Sequence, residues 1–225
     1  MTYTKNRLNE VIFAVSHEHC WTSLVGDYVV KTINLQIDTE KDYIRSIITF
    51  NKKNKDLIYE IKKSKTYIGS SLLNATDNKI LFDFRKKYSN SVINTVLNLN
   101  GVILNGFKYN GREFWRVLIY EDYLHQLFNE LQSRGKVDYI AQREFDIEED
   151  NLSMHELDSL TLAYKYGYLN FPRKIKSDKI SKIANLSKST FTYHLRSAEY
   201  KVIKQLIREL DFYNLPNHIK NNKED

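Results

Sequence analysis

Along the first 146 residues, apolar and polar positions follow first a two-residue and then a three-to-four-residue rhythm. Leu8 to Ser16 (LNEVIFAVS) is β-branched and apolar and reads as a buried strand. A short mixed stretch follows, with room for a stunted helix from Cys20 to Val25. Val29 to Asp38 sets Ile33, Leu35 and Ile37 on one side and Lys31, Asn34 and Gln36 towards water, and Tyr43 to Asn51 repeats the alternation after a turn at TEKD. Lys55 to Lys65 puts Leu57, Ile58 and Ile61 on one helical face with lysines opposite, and Tyr67 to Leu73 returns as a strand. The order is βαββαβ.

That order then recurs. Lys79 to Tyr88 reads as a strand, Asn90 to Asn100 as a helix through Val92, Ile93, Val96 and Leu97, and Gly101 to Tyr109 as a strand. Asn110-Gly111 is the strongest short-range signal for a type I′ hairpin, across which Arg112 to Tyr120 pairs back. Glu121 to Arg134 turns Leu124, Leu127, Phe128 and Leu131 inward, Gly135 stops it, and Lys136 to Phe145 is a last strand. The expectation is an α+β chain whose N-terminal domain, 1–146, is a tandem of ferredoxin-like halves, about 1–76 and 77–146. In element order it is similar to paired ACT-like domains, which sense small molecules, although the side chains show no clear repetition; a dimerisation platform is the competing use.

From residue 146 the pattern changes. Asp146 to Asn151 is acidic and poor in apolar side chains, which marks 147–152 as a linker. Ser153 with Glu156 is a capping box opening a helix with Leu157, Leu160, Leu162, Ala163, Tyr164 and Tyr168; Gly167 ends it and Phe171-Pro172-Arg173 turns the chain. Ile180, Ile183 and Ala184 form the next helical face, Leu186 falls in a turn, and Phe191, Leu195 and Ala198 form the face of another helix. This is helix-turn-helix spacing, and it predicts an all-α domain over 153–215. Ser187 is placed to cap the second helix by accepting from the N–H of Ser189 or Thr190. Val202, Leu206 and Leu210 continue the stripe of Ala198, widened by Ile203 and Ile207; so apolar a helix packs on the scaffold or pairs with a second subunit. Residues 216–225 read as a tail, with fraying expected from Phe212 onward.

Charge sharpens this picture. From Pro172 to Arg208 there are ten Lys or Arg (173, 174, 176, 179, 182, 188, 196, 201, 204, 208) against Asp178 and Glu199. Residues 1–150 hold 21 basic and 20 acidic side chains, so the excess positive charge sits on the helical domain. A concentrated basic surface is the footprint of phosphate binding. With Phe191, Leu195 and Ala198 inward, Lys188, Ser189, Thr192, Tyr193 and Arg196 face outward together, a set of donors, hydroxyls and one aromatic with no carboxylate. Such groups near a helix N-terminus suit base edges in a major groove. Arg173, Lys174, Lys176, Ser187 and Thr190 flank them and are assigned to phosphates. The alternative for the same face is a solvated surface of an ordinary helical hairpin.

Ala163, Tyr164, Gly167, Tyr168, Phe171, Pro172 and Arg173, followed by Ile183, Ala184, Leu186, Ser187, Ser189, Thr190, His194, Leu195, Arg196, Ala198 and Glu199, make up an ordered pattern. It resembles the DNA-binding domain of the archaeal bacterio-opsin-activator type of transcriptional regulator. The resemblance covers about a quarter of the chain and implies a helix-turn-helix and a DNA partner. Phe191 departs from it, standing where a smaller β-branched residue is usual, which bears on core packing more than on chemistry.

Other candidate chemistry lies in HEHCWTS. His17, His19, Cys20, Trp21 and Thr22 follow the first strand at its C-terminal end, where they could line an effector pocket, or simply pack. A thiolate and two imidazoles suit a soft divalent ion, but no second Cys/His pair accompanies them, so no metal is expected. The sequence carries no phosphate-cradling glycine loop, no GxSxG and no HExxH, and an enzyme is not expected. No cofactor is expected either. One cysteine excludes an intramolecular disulfide, and with neither a signal peptide nor a membrane span in the pattern, a cytoplasmic protein with no membrane partner is the expectation.

The reading is therefore a DNA-binding transcriptional regulator that binds double-stranded DNA as a homodimer through helix 188–198 and responds to a small-molecule effector through its N-terminal domain. Two alternatives stand beside it. One is a small-ligand or protein-interaction module whose basic hairpin docks RNA or an acidic partner; the other is a metal- or redox-responsive switch at Cys20.

Overall fold

The computed structural model describes residues 6–17, 20–145 and 151–221, and the chain divides into two compact units, one ending at Phe145 and the other beginning at Asp146. In the first unit, strands β1 (Leu8–Ser16), β2 (Val30–Asp38), β3 (Tyr43–Asn51), β4 (Tyr67–Ala75), β5 (Lys79–Lys87), β6 (Val102–Tyr109), β7 (Arg112–Tyr120) and β8 (Lys136–Glu144) alternate with helices α1 (Leu57–Lys63), α2 (Val92–Asn98) and α3 (Leu124–Gln132). A 3-10 turn, Trp21–Leu24, stands where the stunted helix was expected. The element order is the doubled βαββαβ of the hydrophobic pattern.

The pairing of those elements departs from the pattern. All eight strands belong to one antiparallel sheet in the order β4-β5-β3-β2-β6-β7-β1-β8. Two sequence-contiguous ferredoxin-like halves would pair β1 with β3 and β4, and β5 with β7 and β8. Instead β1 lies between β7 and β8, and β5 between β3 and β4, so the first strand of each repeat has changed places. The division at residue 76 is therefore not a structural boundary.

Packing follows the exchange. Val11, Phe13 and Val15 of β1 share a core with Val92, Ile93 and Val96 of α2 and Leu127 and Leu131 of α3. Ile80, Phe82 and Phe84 of β5 share the other with Leu57 and Ile61 of α1 and with Trp21 and Val25. Each core is thus built from both halves of the sequence, and burial of these apolar side chains is the main term holding the exchanged strands in place.

Where the half-sheets meet, β2 and β6 pair only at Val30–Lys108 and Lys31–Phe107 and then diverge. A bulge between Thr32 and Asn34 breaks the alternation there. Ile33 is 57% exposed, and with Leu35, Ile37, Val102 and Leu104 it lines an open groove of about 420 Å³. The hairpin at Asn110-Gly111 has φ of 46° and 74° at its two central residues, the left-handed pair that a type I′ turn requires.

The second unit contains α4 (Met154–Lys165), α5 (Ser177–Ile183) and α6 (Lys188–Asn221). Ala163, Tyr168, Ile180, Phe191 and Leu195 form its core. Phe191 meets Tyr168 edge-on at 6.0 Å, so the larger side chain is accommodated inside rather than displaced. The reader helix and the apolar stripe beyond it are one helix of 34 residues, which continues through the expected tail to Asn221.

Candidate nucleic-acid interface

α6 begins at a serine cap. Ser187 Oγ accepts from the backbone N–H of Thr190 at 3.1 Å, satisfying one of the donors that a first helical turn leaves open. The same hydroxyl lies 2.9 Å from Ser189 Oγ and 2.7 Å from Thr190 Oγ1, so three exposed hydroxyls cluster at the helix N-terminus. There the helix dipole and the hydroxyls both favour an anion such as a phosphate.

The face beyond the cap is open. Tyr193 is 70% exposed, and the side chains of Lys188 and Arg196 are 60% and 71% exposed, while Phe191, Leu195 and Ala198 on the opposite face are buried. Lys188 Nζ pairs with Asp178 at 2.9 Å and Arg196 Nη1 with Glu199 at 2.7 Å. Exposed pairs of this kind are worth little in water, so both cations are available to exchange a carboxylate for a nucleic acid. Thr192 is half-buried and donates its hydroxyl proton to Lys188 O at 2.8 Å, while Ser189 remains exposed. The five residues assigned to base edges thus share one face, four of them fully accessible.

Two of the flanking cations are held by local packing. The guanidinium of Arg173 lies 4.5 Å over the ring of Tyr168. Gly167, at φ +72°, ends the scaffold helix and leaves its Cβ position to the stem of Lys174, whose N–H donates to Gly167 O at 3.0 Å. Lys176 sits at the position preceding α5 and is exposed, as are Arg173 and Lys174. Three positions read as core face outward instead: Ile183 ends a helix of only seven residues in which Ile180 fills the core position, and Leu157 and Tyr164 of α4 are exposed.

α4 is fastened to α6 through Glu156. The expected capping box is present, with Ser153 N donating to Glu156 Oε2 at 2.7 Å and Glu156 N to Ser153 Oγ at 3.3 Å. The same carboxylate accepts from Lys201 Nζ at 2.8 Å and from the Ser197 hydroxyl. Lys201, then Ser197 and the Ser153 backbone, pull the carboxyl down to about 2 from its ordinary 4.5. Ser197 and Lys201 were not singled out by apolar spacing, because their role depends on a carboxylate some forty residues away.

With this geometry in hand, the protein-family models match residues 152–204 to the HTH DNA binding domain. Residues 152–204 carry a helix-turn-helix DNA-binding domain of the bacterio-opsin-activator type. A search of the curated proteins finds no match to the chain. The helix-turn-helix supports DNA as the partner of the second unit, and the matched span includes every residue assigned above to bases or phosphates. Among the described residues no helix is long and apolar enough to cross a membrane.

The first unit holds a different cluster. Of the residues proposed for an effector pocket, Trp21 and Thr22 are buried: Trp21 packs edge-on against Phe84 at 5.7 Å, so neither forms a pocket wall. His19 lies outside the described residues. His17 does border an open cavity of about 590 Å³, shared with Ser23, Arg134 and Lys136. His17 and Cys20 also turn towards Glu113, a buried carboxylate on β7 that local sequence gave no reason to select.

Glu113 Oε1 lies 3.2 Å from His17 Nε2, 3.5 Å from Cys20 Sγ and 3.1 Å from Thr22 Oγ1, while Oε2 accepts from Trp115 Nε1 at 3.0 Å. Cys20 and then Glu113 raise His17 to about 10. Burial alone would raise the Glu113 carboxyl, but the hydrogen bond from His17 and the charges of Lys86 and Lys108 override it and hold the group well below the usual carboxylate range. Lys108, buried beside it and directed at Thr32 Oγ1 2.6 Å away, is lowered by burial to about 8.

Proposed function

We propose that the chain is a sequence-specific transcriptional regulator that inserts the first turns of α6 into the major groove of DNA and acts as a dimer. The observation that carries this is the exposed Lys188–Ser189–Tyr193–Arg196 face, held outward by a buried Phe191–Leu195–Ala198 face on the same helix. In this reading Lys188, Ser189, Thr192, Tyr193 and Arg196 meet base edges, and Arg173, Lys174, Lys176, Ser187 and Thr190 meet phosphates.

Dimerisation is supported by the second half of α6. Ile203, Leu206, Ile207 and Leu210 are each about half exposed and recur at three- and four-residue steps, the spacing of a helix that pairs with its own copy. Two copies joined there would offer two reader helices to half-sites separated by about one turn of DNA. In this reading the chain works in the cytoplasm, performs no catalysis, and uses its first unit to sense or to assemble.

The test is selection of bound duplexes from a random library by the full-length chain. Enrichment of a two-fold symmetric motif supports the whole reading; enrichment of an asymmetric motif removes the dimer, and no enrichment over the input removes sequence-specific recognition.

A further inference from the structure

The first unit brings together three groups of metal-ligating type from two distant parts of the chain. His17 and Cys20 leave the end of β1, Glu113 opens β7, and one potential ligand atom from each lies within 4.8 Å of the other two. We propose that His17, Cys20 and Glu113 form a binding site for a borderline-soft divalent cation of the zinc class.

The distances favour this. With metal–nitrogen and metal–oxygen bonds of about 2.0–2.2 Å and metal–sulfur of about 2.3 Å, the edges of a tetrahedral site are roughly 3.3–3.7 Å long. The His17 Nε2–Glu113 Oε1 and Cys20 Sγ–Glu113 Oε1 separations are 3.2 and 3.5 Å, so two edges need almost no rearrangement. Imidazole, thiolate and carboxylate together select zinc, cobalt or a similar ion over magnesium or calcium, which prefer all-oxygen shells.

The surroundings are arranged as an outer shell. Trp115 Nε1 holds Glu113 Oε2 at 3.0 Å and thereby turns Oε1 towards His17 and Cys20. Thr22 donates to Oε1 itself, at 3.1 Å. Gly135 makes room for the turn that carries His17: a Cβ there would fall 2.2 Å from Ser16 O and 3.0 Å from His17 Cβ. The cavity borders His17, and it is from that side that an ion and a fourth ligand such as water would reach the site.

Charge sets a condition. Lys108 and Lys86 are buried near Glu113, so a dication is tolerated only if thiolate and carboxylate both offset it. A metal takes thiolate and neutral imidazole as ligands, so its binding at such a site is coupled to proton release and weakens as pH falls. A bound ion would clip the exit of the exchanged strand β1 to the start of β7.

The test uses the full-length chain, stripped with a chelator and titrated with Zn(II) against a competing indicator and with Co(II) alone. The expected results are one tight equivalent of zinc, a sulfur-to-cobalt charge-transfer band, and a zinc-dependent rise in melting temperature. Cys20→Ser should abolish the band, and both Cys20→Ser and His17→Gln should weaken zinc by more than about tenfold. Both positions are only partly buried, which keeps the test valid even if Glu113→Gln fails to fold. Absence of the band, or zinc affinity unchanged in both variants, would overturn the site.

Discussion

The carboxylate of Glu156 sits 2.8 Å from the ammonium of Lys201, joining the first turn of the scaffold helix to the reader helix about one turn beyond Arg196. Because the same carboxylate also caps α4 and accepts from Ser197, one side chain sets where α6 lies on α4.

Glu156→Gln should lower the stability of the second unit by about 1–3 kcal/mol, since it leaves Lys201 without its charged acceptor in a largely buried setting. Urea unfolding of the full-length protein, followed by circular dichroism, measures this. The pH dependence has a defined sign. A carboxyl lowered from 4.5 to about 2 on folding contributes fully above 4.5, and that contribution is lost as pH falls from 4.5 towards 2. The acid limb of the stability profile should therefore be shallower in Glu156→Gln; an identical limb in both proteins would deny the carboxylate this role.

Ser187→Ala removes the side-chain acceptor of the Thr190 N–H and should cost about 1 kcal/mol of stability. It should also weaken DNA binding on every sequence alike if, as proposed, the hydroxyl meets a phosphate. Ser187→Asp would retain the cap but oppose phosphate, so restored stability with still weaker DNA binding separates the two roles.

The exchange of β1 and β5 predicts that fragments 1–76 and 77–145 copurify as a one-to-one complex when coexpressed, since each core needs a strand from the other. Two separately soluble fragments, each with its own cooperative unfolding transition, would show that the exchange is not required.

Leu206→Glu with Leu210→Glu places charge on the apolar stripe of α6. Sedimentation should change from dimer to monomer, with loss of affinity for a two-half-site duplex and little change for a single half-site. A wild-type protein that sediments as a monomer at micromolar concentration with and without DNA would remove the stripe from the dimer.

Local chemistry was written plainly in the sequence. The Ser187 cap, the Ser153–Glu156 box, the Asn110-Gly111 hairpin and the inward Phe191–Leu195–Ala198 face each depend on residues a few positions apart, and each stands where the pattern placed it. What the pattern could not convey was long-range partnership. The apolar run of β1 marks a buried strand but not whether β3 or β7 lies beside it, and Glu113 meets Cys20 only because β7 carries it there from 93 residues away. Ile33 and Ile37 share the alternation of a half-buried strand, yet the bulge and the divergence of β2 from β6 leave them exposed. The division between reader helix and tail failed for a related reason: no Gly or Pro interrupts 188–215, and Pro216 stands inside the continuing helix.

The most direct measurement is equilibrium binding of wild type, Arg196→Ala and Lys174→Ala to the selected duplex and to a scrambled one across a range of salt. Arg196→Ala should lose about 1–3 kcal/mol on the selected duplex and much less on the scrambled one. Lys174→Ala should weaken both equally and reduce the salt slope by about one. Equal losses on both duplexes for both variants, or wild-type binding that does not distinguish the two sequences, would contradict a base-reading role for this face of α6.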